Sequence, residues 1–307
     1  MLSGFVLSLG YGKKIDSGQY TTRGLYLRQL FKVYPMHFTM FVLFIILRCI
    51  SFNPPSPEQV TTNVLLLQSW FPFRNIHFAL NSPSWFLCDI LFCYLTFKTL
   101  YRFIFKLSTR KLVLLSAVTF IAYPVIALSI ADEWSNEILF INPMLRLLDF
   151  TIGIITYRIY VQLKSHDVIN KISNASTAHI LILEALPILM LAVLHTFYLQ
   201  LPLGLQHAWV YWIIIPLMLL TYVATDQHPG IIGKLLHTKP LVWLGNISFE
   251  IYITHMGTIA LINILFPSLV MSLRLLIIIP CVALVAYSVQ RFVVNPCFEF
   301  AQRKSWV

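Results

Sequence analysis

Four acidic residues lie within, or at the ends of, long apolar segments: Asp89, Asp149, Glu184 and Glu250. A charged group in lipid is costly, so such residues usually face a cavity or a partner. Asp149 follows Arg146 by three residues, and this spacing places both side chains on one face of a helix. The pair predicts either a structural ion pair or the polar wall of a site. Glu184 and Glu250 lie near the ends of their segments and are expected to reach water.

Two further groups of side chains have helical spacing. Asp89 follows Trp85 by four residues, which favours either a substrate-facing pair or a protonated aspartate hydrogen-bonded between helices. Ser248, Tyr252 and His255 are spaced i, i+4 and i+7 and share one helix face. A histidine in that position could serve as a general base, although a lone histidine in a membrane more often makes a hydrogen bond between helices.

A basic stretch covers residues 26–36, with Arg28 and Lys32 at i and i+4. It is typical of an anchor to anionic lipid, and it also suits a phosphate-binding edge for a coenzyme A thioester. The chain has no glycine-rich nucleotide loop. Its five cysteines form no CxxC pair, so no metal site is expected.

Composition decides which elements must position these side chains. The 307 residues are 58% hydrophobic and 11% charged, against about 25% charged in soluble domains. Most of the surface must therefore face lipid, and the fold class is predicted to be an all-α, polytopic integral membrane helical bundle. An apolar half span at residues 2–11 is predicted to precede eight full spans, at residues 33–51, 84–105, 111–131, 144–163, 178–199, 207–225, 241–264 and 273–294.

The basic residues predict the orientation of these spans. Of the 22 Lys and Arg residues, 18 fall on one set of loops, while Arg48, Arg74, Arg146 and Arg274 fall on the other. The richer side is cytoplasmic by the positive-inside rule. The chain is therefore predicted to lie in the cytoplasmic (inner) membrane with its C-terminus in the cytoplasm.

Six segments form a recognisable pattern in chain order. They are SGFVLS (3–8), YLRQLFKVYP (26–35), LLLQSWFP with SPSWFLCDILFCY (65–72 and 82–94), NPMLRLLDFTIG (142–153), LVWLGNISFEIYITH (241–255) and the weaker VVNPCFEF (293–300). Together they resemble the membrane-bound acyltransferase-3 family, which includes bacterial O-acetyltransferases of surface polysaccharides.

The resemblance implies a reaction and a set of roles. An acyl group, most often acetyl, would move from cytoplasmic acetyl-CoA or another acyl-CoA to a hydroxyl of an envelope glycan such as O-antigen, lipopolysaccharide or capsule. The implied catalytic residues are His255, Asp89, Asp149 and Arg146. The implied substrate-binding residues are Trp85, Ser248, Tyr252 and Ser3, and the implied donor-binding residues are Arg28 and Lys32. The expected partners are membrane lipid, the glycan acceptor and acyl-CoA, without nucleic acid or metal.

Three departures from the family pattern stand out. Asp89 lies one position before the family's glutamate, which would align with Ile90, and is therefore turned by about 100° around the helix. Asp149 replaces the usual glutamate. The family's first span, with its basic residue and its histidine base, has no counterpart here. We therefore expect a single domain at 1–307 that is incomplete at its N-terminus, with an activity that depends on the missing span.

Two other classes of protein remain open from the sequence. A transporter, flippase or channel for a lipid-linked glycan would also use intramembrane acids and the proline-kinked helices predicted at Pro124, Pro187, Pro216 and Pro280. An enzyme that polymerises or ligates glycans usually has a large outer loop, whereas the longest outer segment here, 52–83, is modest and largely apolar.

Overall fold

The computed structural model describes residues 1–207, 209–268 and 270–304, and within them it is helical without a strand. This confirms the all-α class. The helices are α1 (Leu2–Asp16), α2 (Thr22–Ile50), α3 (Pro57–Val64), α4 (Arg74–His77), α5 (Trp85–Lys106), α6 (Thr109–Leu128), α7 (Asp132–Ser135), α8 (Pro143–Ser165), α9 (Val168–Ser173), α10 (Thr177–Phe197), α11 (Leu203–Gln206), α12 (Ile214–Thr225), α13 (Ile231–Leu236), α14 (Lys239–Asn246), α15 (Ser248–Leu265), α16 (Met271–Val289) and α17 (Asn295–Arg303).

Side-chain caps fix where several of these helices begin. In each case a short polar side chain accepts a hydrogen bond from a backbone N–H of the first turn, which would otherwise lack a partner. The capping residues are Thr21, Ser56, Ser108, Asn142 and Ser176. Each of them directly precedes the helix that it caps.

Among the described residues, five helices are long and apolar enough to cross a membrane: Thr22–Ile50, Thr109–Leu128, Thr177–Gln200, Ser248–Leu265 and Ser272–Arg303. The bent pair Asp132–Ile141 and Pro143–Ser165 would make a sixth. The predicted count of eight full spans therefore stays a prediction.

Two of the predicted spans have a different local structure. The segment predicted at 207–225 contains the 12-residue helix α12, which is only about 18 Å long. The segment predicted at 241–264 is divided at Ile247 into α14 and α15. The division follows Gly245 and Asn246, which are residue types that commonly end helices. Average hydropathy does not register such a break.

The chain divides into two compact units. Unit 1 comprises Met1–Tyr20 and Thr96–Thr238, and unit 2 comprises Thr21–Leu95 and Lys239–Val307. Both units are therefore built from two separate stretches of sequence. The expectation of a single domain at 1–307 stays a prediction.

In unit 1, α1 packs against α8 through small residues. A methyl group added at Gly4 would collide with the carbonyl oxygen of Phe150, and one added at Gly153 would collide with that of Met1. Glycines at a helix–helix contact let two backbones approach closely. Ser3 is half-buried on α1, one residue before this contact. Phe5 completes the contact by packing edge-on against Tyr157 of α8 at 5.9 Å between ring centroids.

Two buried charged side chains stabilise helix ends within unit 1. The guanidinium of Arg158 donates to the carbonyls of Ile104 and Leu107, at the C-terminal end of α5. The Glu184 carboxylate accepts hydrogen bonds from Gly230 N–H at 2.8 Å and Gly233 N–H at 3.1 Å, at the start of α13. Positive charge at the end of a helix and negative charge at its start oppose the helix dipole favourably.

The expectation that Glu184 and Glu250 reach water is wrong. Glu184 is fully buried because the chain after α12 folds back over it. Glu250 is 6% exposed, and the side-chain amide of Gln290 donates to it at 3.3 Å. Sequence position near the end of an apolar segment did not reveal either cover.

In unit 2, a hydrophobic core joins α2, the first half of α5, and α15. Ile253 of α15 is fully buried, as are Met36 of α2 and Leu87 of α5. Asn81, in the segment before α5, donates its side-chain amide to the Ile253 carbonyl at 2.9 Å. This core fixes the three helices that carry most of the predicted donor-side and catalytic residues.

Candidate functional site

A partly buried polar cluster in unit 1 centres on Arg146. Its guanidinium binds Oδ2 of Asp149 at 2.7 Å and the carbonyl of Leu139 at 2.6 Å. The indole N–H of Trp212 donates to the second carboxylate oxygen, Oδ1, at 2.6 Å. The Tyr123 ring packs on Trp212 at 4.9 Å between centroids. We call Tyr123, Arg146, Asp149 and Trp212 the Arg146 cluster; its ion pair confirms the predicted shared helix face.

A sharp bend in the backbone aims Arg146 at its partners. The segment Asp132–Ile141 meets Pro143–Ser165 at 50°, and Asn142 caps the second helix while Pro143 starts it. Residues Asn136–Ile141 form a π-helical segment, which presents the Leu139 carbonyl to the guanidinium. The ring of Phe140 lies 5.5 Å from the Arg146 guanidinium. π-Helical turns of this kind are frequent at functional sites.

The Arg146 cluster retains hydrogen-bonding capacity. Arg146 Nε is buried and has no partner among the described residues. Each Asp149 oxygen accepts one of the two hydrogen bonds that a carboxylate oxygen commonly takes. A ligand hydroxyl could therefore accept from Arg146 and donate to Asp149 at the same time.

His207 and Glu137 lie close to this cluster and extend it. The His207 ring is 5.4 Å from Phe140. His207 lies within electrostatic range of Arg146 and Glu137. His207 Nε2 and Glu137 Oε2 make no hydrogen bond with the part of the chain that the structure describes.

Tyr123, His207 and Trp212 were not among the site residues predicted from the sequence. Trp212 lies 63 residues after the aspartate that it binds. No local spacing links these residues to Arg146, so the sequence pattern carried no signal for them. Arg146 and Asp149 were found because they are neighbours on a single helix.

In unit 2, Arg28 and Lys32 contact the same aromatic ring. The guanidinium carbon of Arg28 lies 5.0 Å, and Lys32 Nζ 5.4 Å, from the centroid of Phe298 on α17. Arg28 is half-buried and Lys32 is exposed. Cation–π contacts of this kind hold the two stems against the ring. The two positive charges can therefore attract an anion without first being ordered.

A network of hydrogen bonds within unit 2 holds the start of α5. Gln68 donates its side-chain amide to the Ser84 carbonyl at 2.9 Å, and Ser69 donates its hydroxyl to the Trp85 carbonyl at 2.7 Å. The Ser84 hydroxyl in turn reaches Asn63 Oδ1 at 3.3 Å. Apart from Asn63, these residues belong to the segments 65–72 and 82–94 of the sequence pattern. Their role in the structure is to position Trp85 and the helix behind it.

Trp85 and Asp89 are both buried on α5, at 9% and 1% exposure. Asp89 lies within electrostatic range of Cys88 and Tyr252. Tyr252 packs edge-on against Phe86 at 5.6 Å between centroids. The structure therefore brings two of the predicted site residues, Asp89 and Tyr252, together inside unit 2.

His255 is oriented by its own helix. Its Nδ1 lies 2.6 Å from the Tyr252 carbonyl, and the two rings are 5.9 Å apart. A carbonyl only accepts, so Nδ1 carries the proton and Nε2 holds the basic lone pair. Ser248, the third member of the predicted face, is exposed and donates to the Gly245 carbonyl at 2.8 Å. This hydrogen bond spans the break between α14 and α15.

His37 is a second histidine with a fixed proton, and the sequence analysis proposed no role for it. It is 1% exposed on α2, and its Nε2 lies 2.9 Å from the Asn63 carbonyl. Its Nδ1 is therefore the basic nitrogen, and it has no hydrogen-bond partner among the described residues. No neighbouring polar residue in the sequence indicated this arrangement.

The predicted site residues thus divide between the two units. Arg146, Asp149 and Ser3 belong to unit 1. The unit 2 members are Arg28, Lys32, Trp85, Asp89, Ser248, Tyr252 and His255. Their assignment to catalysis or binding stays a prediction.

Comparisons with known proteins place this geometry in a family. The family model described as an acyltransferase domain, of the acyltransferase-3 type, matches residues 1–291. The curated relative "Acyltransferase MdmB" of Streptomyces mycarofaciens is 31% identical over 173 residues, which are 50% of this chain and 43% of that protein. The chain thus spans less than half the length of this relative. No solved structure matches. Because the family model extends over nearly the whole sequence, this chain belongs to the acyltransferase-3 family of membrane proteins.

Proposed function

We propose that this protein transfers an acyl group, most simply acetyl, from cytoplasmic acyl-CoA to a hydroxyl of an envelope glycan. The observation that carries the proposal is the partly buried Arg146–Asp149 ion pair, joined by the Trp212 N–H. A partly buried ion pair with remaining hydrogen-bonding capacity suits recognition of a hydroxyl, which is both donor and acceptor. Membership of the acyltransferase-3 family supplies the reaction type.

The donor is proposed to bind where Arg28 and Lys32 flank Phe298. Phosphates of coenzyme A are strong acceptors for guanidinium and ammonium groups. The positive-inside pattern of the sequence supports a cytoplasmic location for this group, and a cytoplasmic membrane for the protein.

The chemistry requires a base for the acceptor hydroxyl. We propose His255 for this role; its neighbour in unit 2 is Tyr252, which in turn interacts with Asp89. The base takes the hydroxyl proton while the oxygen attacks the thioester carbonyl. The tetrahedral intermediate then collapses, the C–S bond breaks, and the thiolate leaves and takes up a proton as free coenzyme A. His37 is the competing candidate, because its Nε2 is hydrogen-bonded to the Asn63 carbonyl and its Nδ1 is left as the basic nitrogen.

The test is a transfer assay with the purified full chain in proteoliposomes. Acetyl-CoA carrying a ¹³C-labelled acetyl group is supplied with an oligosaccharide of the host's surface glycan. The mass of the product is measured by mass spectrometry. An acetyl mass gain on the sugar, lost in Arg146→Ala and retained in the exposed control Arg110→Ala, is the expected result.

The hypothesis that the protein is a transporter makes the opposite prediction. Labelled lipid-linked glycan would cross the vesicle membrane without any gain in mass. Omitting acetyl-CoA from the assay would leave the rate of this transport unchanged. That outcome would overturn the acyl-transfer proposal.

The matching test in cells is to delete the gene and to compare the mass of the surface polysaccharide with that of the parent strain.

A further inference from the structure

Unit 1 contains an apolar cavity of about 400 Å³ between α5, α6, α8 and α12. Small-molecule sites range over roughly 300–1,000 Å³, so this space is large enough for a ligand. Trp212 forms part of its wall, and the same indole donates its N–H to Asp149. The cavity therefore adjoins the Arg146 cluster through one shared side chain.

The three threonine hydroxyl groups of the cavity wall are already engaged in hydrogen bonds. Thr119, Thr151 and Thr156 each donate a hydrogen bond to the carbonyl four residues earlier in their own helix, at 2.9, 2.8 and 2.8 Å. None of the lining side chains carries a charge. A polar ligand would lose its hydration there without compensation, whereas a hydrocarbon would bury apolar surface.

The cavity is extended by a second, shallower one along the same helices. The two share Ser116, Phe120, Ile155 and Ile159 as lining residues. On α6 the combined lining runs from residue 109 to residue 120, a rise of about 16 Å. On α8 it runs from 147 to 162, about 22 Å. This is the shape of a groove for one extended chain.

Both ends of this groove are polar. At one end Gln162 donates its side-chain amide to the Thr109 hydroxyl at 3.3 Å. At the other end Leu147 and Leu148 line the cavity, directly between Arg146 and Asp149 in sequence. A molecule with an apolar tail in the groove would present its polar end to the Arg146 cluster.

We propose that the groove binds the hydrocarbon chain of a lipid-linked acceptor, with a hydroxyl of its sugar, distinct from the one that is acylated, at the Arg146 cluster. The proposal rests on the acyl-transfer function and deepens it, because it makes the acceptor a lipid-anchored glycan. The groove lies on α6, which is apolar and only 17% buried in its spanning window, so an amphiphile dissolved in the bilayer can enter it from the side.

The experiment uses the full chain in phospholipid nanodiscs and a dodecyl glycoside with a diazirine in its alkyl chain. After irradiation, labelled peptides are identified by mass spectrometry. Label on the α6 and α8 peptides, reduced by excess unlabelled dodecyl glycoside and unaffected by added phosphatidylglycerol, is expected. Equal competition by phosphatidylglycerol would overturn the proposal, since the groove would then hold bulk lipid.

Matched variants sharpen the result. Ser116→Phe fills the groove, whereas Val118→Phe adds the same ring on the lipid-exposed face of α6, where Val118 is 54% exposed. Ile155→Trp fills the groove from α8 in case the first variant does not fold. Labelling should fall at least fivefold in a groove-filling variant that runs as a single peak on size exclusion, and it should hold in Val118→Phe. Equal labelling in all three would overturn the proposal.

Acetyl transfer to the methyl and dodecyl glycosides of the same sugar is measured alongside. Specific labelling without transfer to either glycoside would contradict the proposed function and leave the lipid site standing. Transfer to both glycosides with unspecific labelling would support the proposed function and overturn the lipid site.

Discussion

The indole N–H of Trp212 reaches Oδ1 of Asp149 at 2.6 Å, while Arg146 holds the other carboxylate oxygen at 2.7 Å. Each oxygen thus has a different donor, and the carboxylate cannot rotate without losing one of them. The tryptophan therefore fixes the aspartate, and through it the guanidinium, in one orientation.

Replacing this tryptophan tests that relationship. Trp212→Phe keeps an aromatic ring packed against Tyr123 but removes the N–H. A hydrogen bond to a charged group contributes about 1.5–3 kcal/mol, so the acceptor KM should rise about tenfold or more, given roughly 1.4 kcal/mol per factor of ten. The donor KM should not change. Trp134→Phe, at a residue that is 41% exposed, is the control, and an equal effect in both variants would refute the role.

The identity of the general base is tested by three histidine variants in the acetyl-transfer assay. Removal of a general base typically costs 10²–10⁴-fold in rate, in order of magnitude. His255→Gln should lose roughly that much kcat, and the exposed control His195→Gln should lose none. If His37→Gln abolishes transfer while His255→Gln retains it, the base is His37.

The α1–α8 contact makes a stability prediction with a control on the same helix. Gly4→Ala places a methyl group against the Phe150 carbonyl, whereas at Gly10 nothing lies within 4 Å. Overpacking costs about 1–3 kcal/mol, so Gly4→Ala should unfold at a lower temperature in detergent. Gly10→Ala should be neutral or more stable, because alanine favours helix over glycine by up to about 1 kcal/mol. Matching losses in both would mean that the contact is unimportant.

Glu184 is predicted to hold the chain that follows α12. Glu184→Ala would leave the Gly230 and Gly233 N–H groups unbonded and buried, at about 1–3 kcal/mol for such a group. Trypsin should then cut faster at Lys234 and Lys239. Glu184→Gln keeps one acceptor oxygen and should show a smaller change. The exposed Glu133→Ala serves as control, and unchanged trypsin rates in Glu184→Ala would contradict the prediction.

His237 supplies a pH-dependent contact outside the spanning helices. A hydrogen bond from Nδ1 to the Gly233 carbonyl, and a second one from Nε2 to Asp226, raise the pKa of His237 above its usual range. Because the folded-state pKa is raised, this contact stabilises the fold fully below about pH 6.5, the unfolded value, and is lost as pH rises through the folded value. Histidine NMR titration should show a raised pKa that falls in Asp226→Asn. No change in that variant would exclude the ion pair as a cause.

The sequence was informative where partners lie on one helix. The spacing of Arg146 and Asp149, and that of Arg28 and Lys32, predicted shared faces, and the structure confirms both. Helical class followed from the apolar composition. These features depend on residues within a few positions of each other.

Features made by distant segments could not be predicted in this way. Phe298 meets Arg28 from the opposite end of the chain, and Trp212 meets Asp149 from another helix. Glu184 was expected in water because no sequence rule shows that the loop after α12 covers it. The shortness of α12 and the break at Ile247 were missed for a related reason: an average over 20 residues hides a local turn.

The discontinuity of unit 1 has a consequence for biogenesis. α1 is made before α8, with which it forms its glycine contact, and 75 residues of unit 2 intervene between Tyr20 and Thr96. At ribosomal rates of about 5–20 residues per second, α1 must wait on the order of 10 s before its partner helix emerges. A 15-residue helix is only marginally stable alone. The N-terminal segment therefore docks late during translation, and unit 1 closes only after the first stretch of unit 2 has left the ribosome.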